Sequence, residues 1–167
     1  MSGKPLLVSY SPPPGHRRWR KPGPCSNAKL QRLFGLTADQ MAETFDSITL
    51  LDKWPGRRTD CPGTLWAGEL WGLARASALE LAPTLRERPM VLLLGRAVRE
   101  AFRPWVGESP RLFKPRARHD LGTVLVPWPS PSGSSRFWCC PQNQSTAEAA
   151  ARAVMAAIQL HGQEAAA

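Results

Sequence analysis

What the sequence lacks narrows it first. Its longest aliphatic run, Met90–Leu94, is five residues, far below the roughly 20 that a membrane-spanning helix requires. The run Leu6-Leu7-Val8 near the start is too short for a secretory signal and soon meets Pro12, Pro13 and Pro14. A cytoplasmic location without a membrane partner is therefore expected, nucleoid-associated if the source is bacterial. None of the four cysteines stands in a C-x-x-C spacing, and Cys139 and Cys140 are neighbours, which seldom bond to each other. Free thiols and no cofactor are expected; a four-cysteine metal or iron–sulfur site is the alternative. The chain shows no internal repeat and no second domain, so a single domain over 1–167 is expected, a monomer with a frayed tail at 161–167.

Acid is the other scarcity. The 13 Asp and Glu face 22 Lys and Arg, a formal charge of +9. Such an excess favours a polyanionic partner, and most of the basic residues are arginine, which pairs with phosphate bidentately and stacks on bases. Nucleic acid, duplex or single-stranded, is the expected partner, ahead of a membrane surface. A basic soluble protein without a polyanion to bind is the alternative that charge alone leaves open.

At 43% hydrophobic residues the chain can build a sizeable core. Four short apolar runs read as buried strands: 5–10, 47–51, 90–94 and 123–127. They are near-continuous in aliphatics, as parallel strands covered on both faces are. Helical patterns lie between them. Ser26 can cap a helix bearing Leu30, Leu33 and Phe34, and Thr37 with Gln40 makes a capping box ahead of Met41 and Phe45. Thr64 opens a helix with an apolar stripe of Trp66, Leu70, Leu73, Ala74 and Leu81, stopped by Pro83. Gly95 leads into a helix over 96–102 that Pro104 ends. Ser145 and Glu148 make a second capping box, opening a helix with Val154 and Ile158 inward. The insert 104–120 is polar, basic and proline-broken, and reads as a surface excursion. This alternation predicts an α/β fold of three layers, α/β/α, around a four-stranded, mainly parallel sheet.

Ligands of such sheets bind beyond the carboxyl ends of the strands. The four expected ends run into 9–21, 52–58, Gly95-Arg96 and "PSPSGSSRFW" at 129–138. Together these segments collect proline, glycine, tryptophan and arginine. Arg17, Arg18, Arg20, Lys21, Arg57, Arg58 and Arg136 can pair with phosphates. Trp19, Trp54 and Trp138 offer faces for base stacking. Tyr10, Pro12, Thr49 and Trp54 are candidates to line a base pocket, with Phe137 beside them. Pro131, Ser132, Gly133, Ser134 and Ser135 form a short-side-chain loop that a DNA backbone can approach. The competing role for Trp54, Phe137 and Trp138 is to fill the edge of the core.

The order of "FDSITLLDKWPG", "VLLLGRAVREAF" and "PSPSGSSRFW" behind a Pro-rich first loop resembles the uracil-DNA glycosylase superfamily, most closely its small bacterial and phage members. The resemblance spans roughly 5–160. Those members carry a motif like Gly-x-Asn-Pro-Gly after the first strand and one like Pro-His-Pro-Ser-Gly-x-x-Arg-Trp-Trp after the last. The second match is fairly specific and the first is weak. The resemblance implies excision of a flipped-out modified or deaminated base by hydrolysis of its N-glycosidic bond. In the family an Asn or Asp of the first motif positions water, and a His of the second stabilises charge on the departing base. Here those positions fall on Ser11 and Ser130, hydroxyls that hydrogen-bond but are poor bases. His16 and Asp52 are the groups that can substitute; Asp52 has a competing role as a helix cap or as the partner of Lys53 or Arg58. His119-Asp120 precedes the last strand and so falls on the wrong edge. A relative that binds nucleic acid without catalysis, and a nucleotide-processing α/β enzyme, are the alternatives; the second lacks a P-loop lysine at the required spacing.

Overall fold

The computed structural model describes residues 3–10, 24–51, 64–118, 120–132 and 135–164. Among them, the elements follow the order β1 (Leu6–Ser9), α1 (Pro24–Phe34), α2 (Ala38–Thr44), β2 (Asp46–Thr49), α3 (Thr64–Leu81), β3 (Met90–Leu94), α4 (Arg96–Ala101), α5 (Arg103–Val106), β4 (Arg116–Arg118), β5 (Thr123–Trp128) and α6 (Pro141–Glu164). The sheet has five strands in the order β2-β1-β3-β5-β4. The first four in that order are parallel, while β4 runs antiparallel along the edge of β5. The expected count of four is corrected to five. The extra strand lies inside the insert read as a surface excursion, which also contains α5. Three residues, two of them arginine, show no strand pattern of their own. Pairing with β5 makes them a strand.

All five residues of β3 are buried, and β1 is buried through Val8. One face of the sheet presents Leu6, Val8, Val91, Leu93 and Leu125 to Ala74 and Ala78 of α3 and Val98 and Ala101 of α4. The other presents Leu7, Leu92, Leu94, Val126 and Trp128 to Leu30 and Phe34 of α1, Met41 of α2, and Ala151 and Val154 of α6. The β1–β2 crossover thus covers one face, while the crossovers from β2 to β3 and onward from β3 share the other. From β1 the chain moves outward to β2, then returns across β1 to β3, so the connections diverge between β1 and β3. In open α/β sheets that divergence opens a crevice at the carboxyl ends.

The capping box at Thr37 is present: its Oγ1 accepts from Gln40 N–H at 3.2 Å and its own N–H donates to Gln40 Oε1 at 2.9 Å. Other helix boundaries differ from expectation. α1 begins at Pro24 and α6 at Pro141, so Ser26 and Ser145 lie inside their helices. Proline suits the first helical position because its missing N–H has no intrahelical acceptor there. Pro83 ends the α-helical part of α3, but the chain continues as a 3₁₀ helix over Ala82–Glu87. Pro104 opens the short α5 instead of only stopping α4.

The stripe assigned to α3 is corrected at Leu73, which is 58% exposed; Ala74 is fully buried as expected, and Ala78, not in the expected stripe, is buried with it. The sheet face opposite is already bulky with aliphatics, and small side chains let the helix close on it at native density. No described helix is long and apolar enough to cross a membrane.

Candidate nucleic-acid interface

The register sets one row of residues at the carboxyl ends of the parallel strands. Ser9 pairs with Thr49, Val8 with Leu93, and Leu94 with Trp128. Thr49, Ser9, Leu94 and Trp128 therefore close the four strands at nearly one level. Two buried polar atoms in this row, Ser9 Oγ and Trp128 Nε1, have no hydrogen-bond partner among the described residues. A buried orphan of this kind costs about 1–3 kcal/mol unless water or a ligand pairs it. The third such atom, Thr123 Oγ1, is at the opposite end of β5.

Just past the row, Gly95 N–H donates to Trp128 O at 2.8 Å, tying the exit of β3 to that of β5. Gly95 has φ +97° and ψ 169°, a conformation open essentially to glycine alone. A Cβ there would also stand 3.2 Å from Cβ of Ser130. The missing side chain is what lets Ser130 sit over the β3–α4 turn, next to the diverging connections.

Ser130 belongs to a loop tied at both ends. Its Oγ accepts from Ser132 N–H at 3.3 Å, and its carbonyl accepts from Trp138 Nε1 at 2.7 Å. Ser132 O accepts from Ser135 N–H at 3.1 Å, and a 3₁₀ turn, Arg136–Cys139, follows. The first turns of α6 reach back: Asn143 Nδ2 donates to Phe137 O at 3.0 Å and Gln144 Nε2 to Trp138 O at 2.6 Å. Trp138 is buried, with Lys29 Nζ 4.8 Å from its ring centroid. Of the two roles open to Trp138, the structure assigns the core edge. Pro131 is buried as well and Arg136 is exposed.

Tyr10 follows β1; its carbonyl accepts from Leu51 N–H at 3.0 Å, and its ring packs partly buried against the core. Burial pushes its phenol above the ordinary value, so the O–H stays protonated and available to donate. The structure thus brings Tyr10, Thr49, Ser130, Pro131, Ser132, Ser135 and Arg136 to one edge. Ser11, Pro12, His16, Arg17, Arg18, Arg20, Lys21, Asp52, Trp54, Arg57, Arg58, Gly133 and Ser134 lie outside the described residues, as does His119. Asp120 is at the opposite edge, where its carboxylate takes two 2.8 Å hydrogen bonds from Arg118.

The sequence reading missed Phe113. It has φ +61°, which is rare for a non-glycine residue. Its N–H donates to Pro127 O at 2.8 Å, and its ring meets Trp128 edge-on at 4.7 Å and Phe137 at 5.8 Å. These contacts offset a backbone strain of about 1–3 kcal/mol and pin the insert against the serine-rich loop. An aromatic between Arg111 and Lys114 in a basic, proline-broken stretch was the available signal. Cys139 and Cys140 are free thiols, and no group of three metal-ligating side chains occurs among the described residues. A scan against protein-family models and a search of curated proteins both returned no match.

Proposed function

We propose that this chain is a DNA glycosylase-type protein. It takes a flipped-out modified or deaminated base at the carboxyl edge of the sheet and hydrolyses its N-glycosidic bond. The proposal rests chiefly on one observation: the motif-bearing loop is tied down beside the diverging connections, with Ser130 lodged over Gly95. An extruded base requires a rigid pocket that replaces lost stacking and pairing. The three-layer arrangement around four parallel strands that the glycosylase resemblance implies is part of the same proposal.

In this reading Ser130 Oγ accepts from Ser132 N–H, which leaves the hydroxyl proton to donate to a base carbonyl oxygen. Tyr10, protonated, supplies a second donor and a ring to line the pocket. Arg136 stands exposed at the end of the loop to meet a phosphate. Proton transfer and water activation fall to Asp52 or His16, with Ser11 positioning the water.

The same Ser130 favours a second reading, a relative that binds the base without cutting, because a serine cannot carry the charge that a histidine can. One experiment separates the two. The protein is incubated with oligonucleotides bearing a panel of deaminated and alkylated bases, and abasic sites are then cleaved. Strand breaks at one base support catalysis. Tight, salt-sensitive binding with no breaks for any base leaves the binding-only reading.

A further inference from the structure

The insert between α5 and β5 holds basic residues that the base site does not use. β4 runs antiparallel to β5, with Arg116 opposite Leu125 and Arg118 opposite Thr123. The chain just before Arg116 therefore runs along β5 toward the carboxyl edge. Phe113 fixes it there through Pro127, Trp128 and Phe137. Arg111, Lys114 and Arg116 are all exposed, and none has an ion pair among the described residues.

Charge over this region is one-sided. From Ser109 to Ala147 the sequence has five Lys and Arg residues, and Asp120 is its one acidic residue. Asp120 is occupied by Arg118 at the far end of the strand. Among the described residues, the exposed large apolar side chains, Ile48, Trp71, Leu73, Leu79 and Leu160, all lie outside this strip. A protein partner would want aromatic or apolar anchors; a sugar-phosphate backbone needs only fixed positive charge.

We infer that Arg111, Lys114 and Arg116 form a phosphate-contacting strip that grips the DNA backbone flanking the nucleotide held at the serine-rich loop. The inference rests on the base-binding role proposed above. Phe113 acts as the positioning residue, holding the strip in register with that loop. Contacts of this kind add affinity without sequence preference.

The test measures the salt dependence of binding to a long duplex oligonucleotide for three proteins: the wild type, the triple variant R111Q/K114Q/R116Q, and a charge-matched control, R32Q/R75Q/R152Q. Each lost phosphate contact lowers the slope of log affinity against log salt by about 0.9, so the triple variant is expected to lose between about 2 and 3. Its low-salt affinity should fall at least about tenfold, with the control near wild type. An unchanged slope in the triple variant, or an equal loss in the control, overturns the strip and leaves the base site standing. Competition by poly-glutamate as effective as that by DNA also overturns it. Absence of wild-type binding at low salt instead removes the base-site reading, and the strip with it. If the triple variant unfolds early in a thermal melt, K114Q alone is used, with an expected loss of about 0.9 in slope; no loss overturns the inference.

Discussion

The two edges of the sheet are built differently. At the amino-terminal edge, Asp46 of β2 pairs with Arg88, whose guanidinium also donates to Lys4 O at 3.0 Å, while Lys4 Nζ donates to Ala42 O at 3.2 Å. Arg118 and Asp120 complete a bidentate pair on the same side. These ion pairs and hydrogen bonds hold segments together. At the carboxyl edge the polar groups are held but left open. Ser9 Oγ and Trp128 Nε1 have no described partner, Ser130 offers a hydroxyl, and Arg111, Lys114, Arg116 and Arg136 have no ion pair among the described residues. Thr123 Oγ1 is a single buried orphan at the amino-terminal edge, against two in the row at the carboxyl edge, and this contrast supports the proposal that the carboxyl edge is the binding face.

The comparison can be broken in order of effect. Trp128→Ala should be the most damaging, because Trp128 is fully buried between Phe34 and Phe113 under the loop. A loss of about 3–5 kcal/mol is expected in chemical denaturation, and DNA binding should fall with it. Gly95→Ala should cost about 1–3 kcal/mol, since it meets both the positive φ and the Ser130 Cβ. Adding Ser130→Gly should recover the steric part but not the backbone part; full recovery in the double variant would show that φ at Gly95 is unimportant.

At the other edge, Asp46→Asn should lower stability by only about 0.5–1 kcal/mol, because the pair is partly exposed, and should leave DNA affinity unchanged. A loss of affinity there would erase the distinction between the edges. The smallest effect concerns Asp120, whose carboxyl Arg118 holds below the ordinary value by hydrogen bonding. Its stabilisation is present above the unfolded-state pKa and is lost as pH falls through the lower folded value. Its exposure to solvent keeps it slight, so thermal melts of wild type and Asp120→Asn should differ marginally near neutrality and converge in strong acid.

Much of the frame was legible because its signals are local. Met90–Leu94 is apolar at every position, as a strand covered on both faces must be, and Thr37 with Gln40 carries its cap in the side chains. The loop after the last strand was legible from its run of proline, serine and glycine. What was hidden depends on neighbours distant in sequence. β4 exists because β5 offers a free edge, and the choice of Ala78 over Leu73 beside Ala74 on the inward face of α3 is set by the bulk of the sheet opposite. Trp138 could be a stacking face or core filling until Ser130 O and Lys29 were seen to engage it. Phe113 was hidden for the same reason: only its tertiary contacts with Pro127, Trp128 and Phe137 explain a positive φ at a phenylalanine.

The most direct test restores the two motif residues that the resemblance calls for. The variant Ser11→Asn with Ser130→His, compared with wild type on a uracil-containing oligonucleotide, should gain uracil excision, because the loop, the strand-end row and the basic flank are already in place. A folded double variant that binds DNA no better than an unrelated basic protein, and releases no uracil, would contradict the assignment of this edge as a base-binding site.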